Sequence, residues 1–320
     1  MSETRRLTAP AELAGVRLDV ALTRLAPDLS RARAQRLLDE GHVRVDERTV
    51  KPSVRLRGGE EVLLTLPDPE PSGLLAQDLP LEVLFEDRDL LVLDKAAGMV
   101  VHPARGTPHS TVLNALLHRL GEASAPGERL GLVHRLDKET SGCLVVAKTE
   151  AALSALQAAF KQREVEKTYL ALCHGRLAPE GRLDTPYGRH PGDRTRYTSR
   201  LREGPRRAVT AWRVHEAFAG ATLAEVALHT GRTHQIRVHL ADHGHPLLAD
   251  AAYGGRRREA RLAPDDPVRR AAEAVGRQAL HAWRLAFPHP RTGKRVAFEA
   301  PLPADLAAAL AILRGAPQSR

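Results

Sequence analysis

Cysteine is scarce: Cys143 and Cys173 are the two in 320 residues, too far apart for a CxxC site and too few for a disulfide framework. No run of about 18 apolar residues could span a membrane. The opening Met1-Ser2-Glu3-Thr4-Arg5-Arg6 has no apolar segment that could serve as a secretory signal. Together these gaps argue against secreted disulfide scaffolds and membrane-embedded chains, and they predict a soluble protein of a reducing cytoplasm. Aromatic residues amount to 3% and lysines to seven, so each tyrosine and each arginine cluster carries more information than usual.

What is present is positive charge borne by arginine. Lysine and arginine number 48 against 39 acidic residues, a net +9. A planar guanidinium grips phosphates bidentately and stacks on bases, so this bias suits a nucleic-acid partner, although genome composition or thermal adaptation also raises arginine. From Tyr187 to Arg213 there are eight arginines against Asp193 and Glu203, a local excess of +6. Such a stretch is either a solvated loop or a phosphate-contacting surface.

The length accommodates two domains. Pro67-Asp68-Pro69-Glu70-Pro71-Ser72-Gly73 forbids regular helix and reads as a linker, taken as 67–79, between a small module (1–66) and the rest (80–320). In the module, Val16, Val20, Ala21 and Leu25 recur at helical spacing, and Ser30 can cap a second helix from Arg31 to Glu40 that Gly41 ends. Short strands are expected at 41–46 and 59–64. From Ser30 to Gly58 there are eight basic residues against four acidic, which is either the wet side of an amphipathic helix or a basic binding face. Beyond the linker, strands are expected at 81–85, 90–93, 143–148, 168–173, 223–228, 280–287 and 294–299. Helices are expected at 109–120, after Thr149 as cap, at 233–244 with Thr233 as cap, and from Ala304 to about Leu313. Gly254 to Gly276, rich in Arg, Asp, Glu and Pro, reads as a surface excursion. Without a repeating βαβ rhythm, the pattern predicts an α+β domain on a mixed, largely antiparallel sheet.

The most informative string is His134-Arg135-Leu136-Asp137-Lys138-Glu139-Thr140-Ser141-Gly142. One carboxylate lies among Arg, Lys and His just before an apolar strand, and neighbouring positive charge keeps such an acid ionised. The hydroxyl pair and glycine after it suit a tight turn. Alone, HRLD could be a loop with a surface Arg135–Asp137 ion pair of little consequence. The full HRLD-x-x-TSG resembles the catalytic motif of the RluA-type pseudouridine synthases. Four more segments fit that family in order: Asp94 to Pro103 (DKAAGMVVHP), Glu166 to Leu172 (EKTYLAL), Leu228 to Leu240 (LHTGRTHQIRVHL), and Ala279 to Ala282 with His289-Pro290. The N-terminal module resembles the S4 RNA-binding domain, with Arg31, Arg33 and Arg36 on or near its second helix. The likeness spans about residues 15 to 310.

The resemblance implies an isomerase that needs neither cofactor nor metal. Asp137 would be the carboxylate beside C1′ and C2′ of a flipped uridine, either attacking C1′ or taking the 2′ proton. Arg135 would fill the space left by the nucleotide or hold adjacent phosphates, Tyr169 would stack on the base, and Arg237 would pair with Asp137. His134, Lys138 and Arg232 are further candidates for RNA contact. The S4-like module beside a catalytic domain is similar to the large-subunit ribosomal RNA synthases, which implies 23S rRNA or a large-subunit precursor particle as partner; a transfer RNA target would use the same site, and monomer is the default state. Read without the likeness, Tyr169 is a core residue with its hydroxyl outward and Arg237 a helix-surface residue. His239 and His243 at i, i+4 enclose Leu240-Ala241-Asp242 rather than the glutamate of a zinc motif, so helix-terminal or phosphate-facing histidines fit better. Kinase chemistry lacks its glycine loop, and a glycosidase using Asp137 and Glu139 would leave the basic stretches unexplained. A non-catalytic ribosome-assembly factor is opposed by the presence of Asp137, Tyr169 and Arg237 together. Ala96 and Ala249 stand where the family usually has Pro and Gly, departures that bear on local turns.

Overall fold

The computed structural model describes residues 3–27, 29, 31–66, 74–103, 107–121, 131–204 and 206–315, the side chains of 31 and 32 excepted. The chain divides into two compact units, Met1–Leu74 and Leu75–Arg320. Residues 67–73 of the expected linker and the expected cap Ser30 lie outside the described residues. Leu75 and Gln77, also within that expected linker, are hydrogen-bonded through their backbones to Asn114.

The smaller unit runs β1 (Glu3–Thr8), α1 (Leu18–Leu25), α2 (Arg31–Asp39), β2 (Val43–Val45), β3 (Arg48–Thr49) and β4 (Glu61–Leu66). Its antiparallel sheet has the order β1-β4-β2-β3. Alternation along β4 turns Val62, Leu64 and Leu66 inward, where Leu18, Leu22, Leu37 and Val43 meet them. The first helix starts at Leu18, later than its spacing implied, so Leu18, Ala21 and Leu22 form the buried stripe while Val16 precedes the helix. On α2, Ala34, Leu37 and Leu38 are buried and Arg36 is exposed; Arg33 is half-buried.

The larger unit contains β5 (Glu82–Glu86), β6 (Leu90–Lys95), α3 (Val112–Leu120), β7 (Ser141–Ala147), α4 (Glu150–Gln162), β8 (Glu166–His174), β9 (Glu180–His190), β10 (Asp193–Thr198), β11 (Arg206–Phe218), β12 (Ala221–Leu228), α5 (Gln235–Asp242), α6 (Gly255–Glu259), α7 (Pro267–Val275), β13 (Leu280–Pro288), β14 (Arg295–Glu299) and α8 (Ala304–Gly315). Ten strands form one sheet in the order β10-β9-β11-β12-β8-β13-β7-β6-β5, with β14 paired to β13. The fold is therefore α+β, and every pairing among the described strands is antiparallel except β13 with β7. Along β8, Leu170 and Leu172 pack with α7 and α8, and alternation sends Tyr169 to the opposite face. On that other face, Val238 of α5 packs with Tyr187, Ala208 and Tyr253.

The arginine-rich stretch from Tyr187 to Arg213 is mainly β-structure, in β9, β10 and β11, rather than a solvated loop, one of the two readings of its sequence; Arg206 and Arg207 are exposed, and Ala208, Val209 and Thr210 after them are buried. Gly254 to Gly276, expected as a surface excursion, carries α6 and α7. In α7, Val268, Ala271, Ala272 and Val275 recur at i, i+3, i+4, i+7 and are buried, a stripe masked in sequence by the charges around it. Asp266 caps that helix by accepting from the Val268 and Arg269 amides.

The single parallel pairing explains the glycine of the TSG triplet. Gly142 lies opposite Ala282 with φ 111°, and a Cβ there would come within 2.2 Å of the Ala282 carbonyl oxygen. Ala249 is the converse case: it is buried with φ 57°, in the left-handed region that glycine adopts freely. Left-handed backbone costs an L-residue about 1–2 kcal/mol and glycine's extra freedom about 0.5–1, so Ala249→Gly should raise unfolding free energy by about 0.5–1 kcal/mol in urea titrations. An unchanged or lower midpoint would show that the surrounding packing already absorbs the strain.

Candidate active site

The motif loop leads into β7 by the expected tight turn, with the Thr140 amide donating to the Asp137 carbonyl at 3.0 Å. Both hydroxyls of the turn are tied to the segment before and within β13. Gln278 Nε2 donates to Thr140 Oγ1 at 2.9 Å, Ser141 Oγ lies 2.9 Å from His281 Nδ1, and Arg277 Nη2 donates to Ser141 Oγ at 3.2 Å. Arg277 Nη1 also donates to the Glu139 carbonyl, while its Nε binds Asp305 of α8. From the other side, fully buried Lys95 gives its ammonium to the carbonyls of Ala96, Met99 and Lys138 at 2.6, 2.9 and 3.1 Å. Burial pushes its pKa down to about 8, with Arg277 adding to the effect, and the ammonium persists at neutral pH. Segments distant in sequence thus lock the turn that follows Asp137, from Lys138 to Ser141.

Arg237, on α5, reaches Asp137 as expected: Nη1 donates to Oδ2 at 3.1 Å. A second carboxylate holds the same guanidinium. Arg237 Nε and Nη2 donate to Asp250 Oδ2 and Oδ1 at 2.8 and 3.0 Å, and the Asp250 side chain is fully buried. Burial opposes the charge on Arg237, but the hydrogen bonds and charge of Asp250, supported by Asp137, outweigh it and raise its pKa. The helix-surface alternative is excluded, since Arg237 is 7% exposed. Asp137 Oδ1 accepts no hydrogen bond from the described residues; His234 Nε2 faces it at 4.0 Å.

Asp137, Arg135, Tyr169, Arg237, His234 and Arg232 all line one cavity of about 490 Å³, a size suited to a small organic ligand. Tyr169 forms its wall at 7% exposure, and burial followed by the charge of Asp137 raises its hydroxyl pKa. Arg135 is exposed at the cavity, with no hydrogen bond or ion pair to its side chain among the described residues. Arg232 Nε donates to the Arg207 carbonyl at 3.2 Å, and Lys138 is exposed beside the turn.

His134 also lines the cavity and is half-buried; its Nε2 accepts from the Val145 amide at 3.0 Å, its ring stacks on Phe160 at 5.0 Å, and burial lowers its pKa to about 3, so it meets the cavity as a neutral ring. His239 is not phosphate-facing: it is fully buried between the hydroxyls of Thr185 and Thr210 at 3.0 and 2.9 Å. His243 does terminate α5. Thr233 does not cap that helix. The N-cap is His234, with φ 58° and no side-chain cap bond, while Gln235 ties the preceding turn by accepting from Thr230 Oγ1 and the Arg232 amide. Arg31, Arg33 and Arg36 belong to the other unit; the side chain of Arg31 is outside the described residues.

Sequence reasoning missed Asp250, His234 as a neighbour of Asp137, and the locking residues Arg277 and Gln278. A scarcity signal existed for the aromatics. All four tyrosines of the chain are at or near this site: Tyr169 in the wall, Tyr187 donating to the Thr233 carbonyl, Tyr197 against His234, and Tyr253 beside Arg237. Among the described residues, one other group, Asp87, Asp89 and His289, has metal-like spacing. Its atoms already serve the fold: His289 Nε2 lies 2.8 Å from Asp87, and Nδ1 accepts from the Arg291 and Thr292 amides.

Family models identify residues 89–242 as RNA pseudouridylate synthase and 16–62 as S4 domain. The chain is 44% identical over 99% of its length to the Ribosomal large subunit pseudouridine synthase D of Nitrosomonas europaea, covering 90% of that protein. It is 42% identical over 96% to the same-named protein of Neisseria meningitidis serogroup B, covering 81% of it. The structure of Human RNA Pseudouridylate Synthase Domain Containing 1 superposes with TM-score 0.56 at 26% identity, over 78% of this chain and all of that one.

Truncating either carboxylate separates their duties. Asp250→Ala would leave a buried guanidinium half-compensated and should cost about 3–5 kcal/mol in denaturant unfolding. Asp137→Ala, which removes one rim-side hydrogen bond, should cost less than half as much. Equal losses would contradict the view that Asp250 is the structural partner.

Proposed function

Because the chain belongs to the RNA pseudouridylate synthase family, we propose that it isomerises specific uridines of large-subunit ribosomal RNA, 23S rRNA or a precursor particle, in the cytoplasm. Support for the substrate comes from the relatives, which are named for the ribosomal large subunit. The S4 unit would add an RNA grip through the basic side of α2, where Arg36 is exposed.

The observation that carries the chemistry is the Asp250–Arg237–Asp137 chain ending in a cavity walled by Tyr169. Arg237 occupies Oδ2, so Oδ1 is the oxygen left for the sugar. Attack of Oδ1 on C1′ would give a sugar ester; removal of the C2′ proton would give a glycal. In either route the C1′–N1 bond breaks with its electron pair passing to the uracil, and the base turns. From the ester, C5 bonds to C1′ as the C1′–Oδ1 bond breaks and its electron pair returns to Asp137; from the glycal, Asp137 returns its proton to C2′ as C5 bonds to C1′. The C5 proton is then lost and N1 takes up a proton. The nucleotide must leave its stack to reach this depth, and Arg135, unpaired at the cavity, can take the vacated place or bind flanking phosphates. Tyr169 presents a face for the uracil while it is detached.

Pseudouridine maps by carbodiimide labelling and primer extension, over rRNA and tRNA from cells lacking the protein, test both activity and substrate. Specific large-subunit uridines should lose modification and regain it with wild type but not with Asp137→Asn. Unchanged maps would overturn the proposal, and loss confined to tRNA would overturn its substrate. In vitro, Asp137→Asn should lower kcat by about 10³-fold or more.

A further inference from the structure

We propose that His234 is a positioning residue for Asp137: Tyr253 fixes the imidazole proton on Nε2, and that N–H steers the carboxylate oxygen that reacts. The inference rests on the reading of Asp137 as the reacting carboxylate.

The tautomer follows from counting donors. The Tyr197 amide, which can only donate, lies 3.2 Å from the Tyr253 hydroxyl oxygen, which must therefore accept. Tyr253 is 5% exposed, so its own O–H needs an acceptor, and His234 Nδ1 stands 2.9 Å away. If Nδ1 carried the proton instead, two donors would converge on the hydroxyl and its hydrogen would be buried unspent, at a cost of about 1–3 kcal/mol. Nδ1 is thus an acceptor, and a neutral ring has its proton on Nε2, the nitrogen facing Asp137 Oδ1 at 4.0 Å. Burial, ahead of the opposing pull of Asp137, lowers the pKa of His234, consistent with a neutral ring.

The ring is not free to turn away. It meets Tyr197 edge-on at 6.0 Å and Tyr253 at 5.6 Å, and its own backbone is held in the left-handed region. The Tyr253 ring is flanked in turn by the guanidinium groups of Arg237 and Arg196 at 5.1 and 5.2 Å. At 4.0 Å no hydrogen bond exists. One bridging water, or an approach of about 1 Å as substrate fills the cavity, would make one. With Arg237 on Oδ2 and His234 on Oδ1, the carboxylate could not rotate about its Cβ–Cγ bond, and one Oδ1 lone pair would stay aimed at the sugar.

The test uses the full chain and large-subunit rRNA transcript labelled with [5-³H]uridine, reading tritium release. His234→Ala should lower kcat roughly 10- to 100-fold with KM for RNA unchanged. His234→Gln, whose amide can offer an N–H near the Nε2 position, should recover to within about threefold of wild type. Two-bond ¹H–¹⁵N spectra of histidine-labelled protein, with His234 assigned by its loss in His234→Gln, should show an unprotonated Nδ1. The proposal is overturned if His234→Ala keeps kcat within about twofold, if Gln falls as far as Ala with both variants folded, or if Nδ1 carries the proton. Inactive wild type would instead bring down the reading of the reaction, and the nitrogen spectrum would still decide the tautomer.

Discussion

Arg237 takes a positive charge into an interior where, unaccompanied, it would be prohibitively unstable. Two carboxylates make its burial possible, and they are not equivalent. Asp250 is fully buried, binds the guanidinium through both oxygens, and also accepts from the Ala252 and Tyr253 amides, so its geometry is determined by the fold. Asp137 uses one oxygen and keeps partial access to the cavity. This asymmetry lets one guanidinium serve as both a structural ion and a positioner: the bidentate side pays the desolvation cost, and an Nη1 N–H orients a carboxylate that stays open to the cavity.

The backbone around Asp137 is held just as asymmetrically. Upstream elements act through Lys95, whose three carbonyl partners knit the end of β6 to the turn at Lys138. Downstream elements act through Arg277, Gln278 and His281, which use the turn's hydroxyls and carbonyls. Neither set touches the Asp137 carboxylate. A loop that would otherwise be a mobile entry to a strand becomes a rigid mount for the Asp137 carboxylate.

Much of this was readable in sequence because short-range chemistry dictated it. Thr149 as the cap of α4, the β5–β6 hairpin, the turn after Asp137 and the mainly antiparallel sheet follow from local pattern, and the Arg237–Asp137 pair from motif likeness. What stayed hidden depends on partners remote in the chain. Asp250 sits in an apolar-looking run, Leu247-Leu248-Ala249-Asp250-Ala251, where nothing local marks a carboxylate as buried and paired. His134 reads as a cation beside Arg135 until burial against Phe160 removes its charge. Arginine density obscured β9 to β11 because polar residues alternate there with a buried face, and the stripe of α7 was masked by its flanking charges.

The parallel pairing of β7 with β13, Ser141 with His281 and Gly142 with Ala282, also orders events in time. A ribosome adds roughly 5–20 residues per second, so the roughly 140 residues separating the two segments take about 7 to 28 seconds to make. Until they emerge, the turn bearing Asp137 lacks the side chains that clamp its hydroxyls, and β7 has β6 on one edge but no β13 on the other. Asp137 is thus synthesised well before the residues that mount its turn. A nascent chain can expose its basic surfaces while its chemistry is still unassembled, and competence arrives only when the C-terminal third has joined the sheet.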